Sequence, residues 1–137
     1  MNPVLRKKLN ILVSLAMADK DFAPQERDFI TNICERNQLE PRVIDELMAH
    51  PDPIEGLGAL SYEKSVEYMV DSIQLMLVDG QILPGEVIFC QDIAIRLGFS
   101  KLATDELIRQ VSRTKTISRT LLEKNVRELP HLSKGAG

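Results

Sequence analysis

Two acidic pairs with the same spacing are the residues of this chain best suited to chemistry. An aspartate is followed seven residues later by a glutamate, first near residue 20 and again near residue 80. Carboxylate oxygens that converge on one point bind hard divalent cations such as Ca²⁺, Mg²⁺ or Mn²⁺. The candidate metal ligands are therefore Asp19, Glu26, Asp79 and Glu86.

The two pairs belong to an internal duplication. Residues 11–48 align without a gap with residues 71–108, at a constant offset of 60, and ten of the 38 positions are identical. Random pairing at average amino-acid usage would give roughly two or three identities. Such self-similarity indicates a chain built from two copies of one structural unit.

Helix signals surround both acidic pairs, and no segment shows the strict alternation of a half-buried strand. Prolines, glycines and polar N-caps divide the chain into segments. The predicted helices span about 3–18, 24–37, 41–48, 61–78, 84–97, 100–112 and 117–129, with a short helical turn at 54–57. We therefore expect an all-α fold, a compact bundle of about seven helices.

The first helix of each copy is apolar on nearly all sides, so each needs a buried partner. Packing these two helices together predicts two three-helix repeats, about 5–48 and 62–112, related by a pseudo-twofold axis. The C-terminal helix at about 117–129 lies outside the repeat. Residues 1–130 then form a single domain, and residues 131–137 are predicted to be a flexible tail.

This layout places each aspartate at the C-terminal end of a helix, where the helix dipole disfavours a carboxylate by about 0.3–1 kcal/mol. Each glutamate is the third residue of the following helix, one short turn away. If the two turns meet across the pseudo-twofold axis, four carboxylates share one acidic pocket.

A purely structural interpretation remains open beside the metal site. Glutamate at the third helical position is favoured as a cap, and aspartate in a turn accepts a backbone hydrogen bond. Arg36 and Arg96, which also repeat, could neutralise an aspartate of either unit. An EF-hand is excluded, because the spacing from Asp19 to Glu26 is far shorter than a 12-residue loop.

The sequence around the pairs resembles a known family. A-D-K-D from residue 18 and V-D-G-Q from residue 78, each followed by the glutamate, are similar to the A-D-G-x-x-x-x-x-E signature of the TerB-like tellurite-resistance family. The same fold occurs in the N-terminal part of a membrane-anchored DnaJ-like co-chaperone. The likeness covers about residues 5–112, and it departs at Lys20, where the signature has glycine.

The resemblance implies an all-helical, cytoplasmic bacterial protein linked to tellurite resistance and stress responses. It also implies an interaction or metal-sensing module rather than an enzyme. The acidic positions of the family correspond to Asp19, Glu26, Asp79 and Glu86 in this sequence.

Catalytic groups are not predicted. His50 lies in a proline turn and His131 in the predicted tail, while Cys34 and Cys90 lie among apolar residues as free core cysteines. No phosphate loop, nucleophile elbow or histidine metal motif occurs.

Composition excludes other classes. The chain is acidic, with a net charge of −3, and aromatics are scarce at 4%. Nucleic-acid binding through Arg109, Arg113, Lys115 and Arg119 is therefore disfavoured. No apolar run is long enough for a membrane span, and no signal peptide is recognisable, so we predict a cytoplasmic protein.

We therefore expect a non-enzymatic interaction or sensing module with unidentified protein partners, and self-association stays open. The alternative is a divalent-metal-binding protein that uses the repeated acidic pairs. The first interpretation requires no cofactor. The second requires a divalent cation, which is Ca²⁺, Mg²⁺ or Mn²⁺.

Overall fold

Seven α-helices and one short 3₁₀ helix account for the regular structure in the part of the chain that is described. The computed structural model describes residues 2–18 and 22–132. The helices are α1 Pro3–Ala16, α2 Pro24–Arg36, α3 Arg42–Ala49, α4 Tyr62–Leu77, α5 Pro84–Leu97, α6 Lys101–Thr114 and α7 Arg119–Arg127. The all-α prediction is confirmed for these residues, which contain an isolated bridge but no strand.

Most helices begin where the sequence predicts. The Asn2 side chain accepts a hydrogen bond of 2.8 Å from the Val4 amide, and serines 61 and 100 cap α4 and α6 in the same way. The predicted helical turn at 54–57 is wrong, because the 3₁₀ helix spans Leu57–Ala59. Gly56 before it has a φ of +72°, a left-handed conformation that separates residues 54–55 from the helix.

The core consists of two apolar clusters joined along α1 and α4. One cluster is formed mainly by α1, α2 and α3, and the other mainly by α4 to α7. Ile11 of α1 is buried in the second cluster, and Leu75 of α4 is buried in the first. Each central helix therefore contributes to both clusters, which explains why both are apolar on most sides.

The C-terminal segment is attached to the domain as far as Leu132. The Leu132 amide donates to the Gly98 carbonyl at 2.8 Å, and the His131 ring packs edge-on against Phe99 with centroids 4.7 Å apart. The first two residues of the predicted tail thus contact the bundle, and residues 133–137 lie outside the described residues.

None of the helices in the described ranges is long and apolar enough to cross a membrane.

Candidate metal site

Glu26 and Glu86 occupy the same position, the third residue of α2 and of α5. Both are almost completely buried, at 2% and 3% exposure. Glu26 Oε1 accepts from the Ala23 amide at 3.0 Å, and Glu86 Oε1 accepts from the Leu83 amide at 3.2 Å. Each glutamate thus forms its half of a capping box, while alanine and leucine provide no side-chain acceptor for the other half. The structural interpretation accounts for these two Oε1 atoms.

The two glutamates also interact with each other, although they are 60 residues apart in the sequence. Two carboxylates in contact repel each other unless one of them carries a proton. The Oε2 atom of Glu26 is shielded from solvent, and no N–H or hydroxyl group of the described residues donates to it. Capping does not explain this part of the side chain, whose carboxyl group instead shares a hydrogen bond with that of Glu86.

Burial dominates the titration of Glu26. Loss of hydration raises its pKa, the Ala23 amide lowers it, and the charges of Glu86 and Asp79 raise it further, to about 8. At neutral pH the pair therefore holds a proton, which a cation at the same place would displace.

Asp79 is the third predicted residue that the structure brings to this place. It is half-buried, just beyond the Val78 C-cap of α4, and its charge acts on Glu26 of the other repeat unit. Its Oδ1 accepts from the Gln81 amide at 3.0 Å, which is the predicted turn hydrogen bond. Gly80 has a φ of +76°, the left-handed conformation that glycine commonly adopts just after a helix end.

Asp19, the fourth predicted ligand, lies outside the described residues. Among the residues that are described, no three histidine, cysteine, aspartate or glutamate side chains are arranged to hold a metal ion. The described residues by themselves therefore do not form a metal site.

The repeated arginines do not neutralise Asp79. Arg96 forms an ion pair of 2.8 Å with Asp92 and donates to the Ile54 carbonyl. Arg36 makes a long hydrogen bond of 3.4 Å to the Asn32 carbonyl and no ion pair with another described residue. That part of the structural alternative is wrong for Asp79.

Both cysteines are free and buried, as predicted. Burial raises the pKa of the Cys34 thiol, and burial together with the Glu86 charge raises that of Cys90 to about 12. Neutral thiols are poor metal ligands, so the site offers oxygen donors. His131 is also occupied, because its Nε2 donates to the Leu97 carbonyl at 2.7 Å.

Sequence reasoning missed a partly buried ionic network that links α1, α4 and α7. Lys8 forms ion pairs of 3.0 Å with both Asp71 and Glu67, and Arg119 contacts Asp71 at 2.8 Å. Asp71 interrupts an apolar stretch of α4, and that interruption was the available signal, whereas Lys8 belongs to the basic run of residues 6–8 and gave none.

The fold and the site thus define an all-α protein with a buried carboxyl pair at the N-termini of two helices. Comparison of the chain with protein-family models, with curated proteins and with solved structures gave no match.

Proposed function

We propose that this protein is a non-enzymatic helical module that binds a divalent cation between the N-termini of α2 and α5. The observation that carries the proposal is the buried Glu26–Glu86 pair, two carboxyl groups of different repeat units that share a hydrogen bond away from solvent. A bound cation would replace the shared proton and take both carboxylates as ligands.

The donor chemistry selects the cation. Carboxylate oxygens without thiolate or imidazole ligands favour Ca²⁺, Mg²⁺ or Mn²⁺. The ligands in this proposal are Glu26, Glu86, Asp79 and Asp19, the last as the repeat-equivalent of Asp79. Because one glutamate comes from each repeat unit, a bound cation bridges the two units. The stability of their packing then depends on the cation concentration.

Thermal melting of metal-stripped protein with Ca²⁺, Mg²⁺, Mn²⁺ and Zn²⁺ tests this proposal. A cation at 100 times its dissociation constant adds about 2.7 kcal/mol of stability. We expect one of the oxygen-preferring ions to raise Tm, and the double variant Asp79→Asn, Glu86→Gln to abolish the increase.

The matched control is Asp28→Asn with Glu35→Gln, which removes the same residue types at the same spacing from the exposed face of α2. The control should keep the full increase in Tm. No increase with any ion, or an increase that survives in the site variant, contradicts the proposal.

A second candidate function, protein interaction, is supported by three exposed apolar side chains on α5 and α6 of the second repeat unit. Ile88, Ile95 and Leu102 are 66%, 48% and 81% exposed. The repeat-equivalent positions in the first unit carry the exposed charged residues Asp28, Glu35 and Arg42. Only one of the two units thus presents isoleucine and leucine at these positions, which fits a docking surface for an apolar helix of a partner protein.

The variant Ile88→Asp with Ile95→Glu transfers the first unit's residues to these two positions. We expect it to fold with unchanged Tm, because both side chains are exposed, and to lose the partner recovered by pull-down from native cell extract. Leu121→Glu on α7, also 49% exposed, is the control. If the double variant keeps the partner, or if the control loses it equally, these side chains are not the docking surface.

Sedimentation velocity on the same proteins shows whether the partner is a second copy of the chain.

The resemblance to the TerB-like family supports a cellular context and a finer description of the fold. We propose a TerB-like arrangement of two pseudo-twofold-related three-helix repeats, acting in a tellurite or general stress response of a bacterium. The packing of α1 on α4 and the contact between repeat-equivalent glutamates support this arrangement. Unchanged tellurite tolerance in a deletion strain would count against the stress role.

A further inference from the structure

A polar cleft of about 480 Å³ opens between α1, α2, α4 and α7, away from the acidic pair. Its charged lining residues are Lys8, Arg36, Lys64, Arg119, Glu67 and Asp71. Four cations against two carboxylates give the cleft a net charge of +2, in a protein whose net charge is −3. The cleft therefore favours an anionic ligand.

The floor of the cleft is a buried ion pair that positions one of its arginines. The side chains of Asp71 and Lys8 are 3% and 11% exposed. Asp71 Oδ1 accepts from Arg119 Nη1 at 2.8 Å, and the same nitrogen donates to the Gln74 side chain. The Nε and Nη2 groups of Arg119 make no hydrogen bond within the described residues, so they remain available to a ligand.

Arg36 is the second arginine of the cleft, and comparison of the repeats shows why it is available. Its repeat-equivalent, Arg96, is held by Asp92 one helical turn earlier. The residue equivalent to Asp92 in the first unit is Asn32, which is uncharged. Arg36 consequently has no ion pair with any described residue, although the two units conserve the arginine itself.

A neighbouring cavity of about 510 Å³ shares both arginines with the cleft. Its other lining residues are the aromatic Phe29, the amides Asn32 and Gln74, and the acidic Glu35. An aromatic ring with amides beside it suits a flat heterocycle, which stacks on the ring and exchanges hydrogen bonds with the amides.

We propose that Arg36 and Arg119 bind the phosphate group of a small molecule whose heterocyclic part occupies the Phe29 cavity, that is, a mononucleotide. Guanidinium groups bind phosphate through paired, charge-assisted hydrogen bonds, and Lys64 adds a third cation at the cleft. Arg119 is already oriented by Asp71, so less conformational entropy is lost on binding. This site is separate from the carboxyl pair and does not depend on the cation proposal.

Calorimetric titration of the metal-free protein with inorganic phosphate, ribose 5-phosphate and adenosine monophosphate tests the proposal. We expect adenosine monophosphate to bind more tightly than ribose 5-phosphate. Because charge-assisted hydrogen bonds are lost, Arg36→Gln should weaken the binding of adenosine monophosphate by about tenfold or more. Arg96→Gln is the matched control, since it removes the same charge at the equivalent position, and it should leave binding unchanged.

Three results would overturn the proposal. The first is no binding of any of the three probes at millimolar concentration. The second is equal weakening by Arg36→Gln and Arg96→Gln, which would show attraction to surface charge alone. The third is equal affinity for ribose 5-phosphate and adenosine monophosphate, which would exclude the Phe29 cavity as the place of the heterocycle. Arg36 is exposed, so its substitution leaves folding intact and each result can be interpreted.

Discussion

Replacing Glu26 by glutamine is expected to stabilise the protein at pH 7–8 and to leave its stability nearly unchanged at pH 4. The folded-state pKa of Glu26 is about 8, against 4.5 for the unperturbed group. Between these values the folded state holds a proton that the unfolded state has lost, so the stability of the wild type falls as pH rises through this window. The neutral amide removes this loss, a gain on the order of 3 kcal/mol at pH 7.

Urea unfolding from pH 4 to pH 8.5, in the presence of chelator, measures this effect. Glu35→Gln, on the exposed face of the same helix, should change stability by less than about 0.5 kcal/mol at every pH. If the wild type and Glu26→Gln show parallel pH profiles, Glu26 is not a protonated buried carboxyl.

Substitution of Asp71 by alanine is expected to cost about 3–5 kcal/mol, because it leaves the buried ammonium of Lys8 without its most buried partner. Glu67, the other partner of Lys8, is 36% exposed and only partly compensates. Denaturant unfolding at neutral pH measures the loss. The same substitution releases Arg119 and should therefore also weaken the binding of adenosine monophosphate.

Two comparisons make the Asp71 result specific. Asp92→Ala removes an exposed ion pair with Arg96 and should cost no more than about 1 kcal/mol. The double variant Lys8→Met, Asp71→Leu replaces the buried pair by apolar side chains and should recover most of the stability. A loss below about 1 kcal/mol for Asp71→Ala would show that water reaches the pair and that it is not desolvated.

Much of the fold was predictable because its signals are local. A proline at the first helical position begins α1, α2 and α5, and serines cap α4 and α6. Two of the boundaries that differ from the prediction depend on local backbone conformations that the residue types alone do not specify. Gly56 adopts a left-handed conformation just before the 3₁₀ helix, and Ser118 caps α7 two residues later than predicted.

The candidate site was predictable in its residues but only in part in its geometry. The sequence predicts one shared acidic pocket if the two turns meet across the pseudo-twofold axis, and the structure brings Glu26 into contact with Glu86 of the other unit. The sequence does not specify which of the four carboxyl groups come into contact, because that depends on the exact angle and register at which α1 packs against α4. The partners of Asp71 could not be predicted either, because Lys8 and Arg119 are distant from it in the sequence and reach it only through helix packing.

Positions at which the two repeat units differ were also informative. The first unit has the uncharged Asn32 where the second has Asp92, and this difference identifies Arg36 as the arginine without an ion pair. The first unit has Asp28 where the second has Ile88, and this difference identifies the unit that exposes apolar side chains. Both contrasts are visible in the aligned sequences. Their meaning depends on exposure and on neighbouring side chains, which only the structure provides.

The central claim, that the carboxyl pair is a divalent-cation site, is tested most directly by counting protons released on binding. Calorimetric titration at pH 6.5, in two buffers of different ionisation enthalpy, separates the heat of binding from the heat of buffer protonation. We predict that about one proton leaves for each cation bound, because Glu26 is protonated at this pH. Absence of binding by Ca²⁺, Mg²⁺ and Mn²⁺, or binding without proton release that persists in Glu26→Gln, would contradict the account.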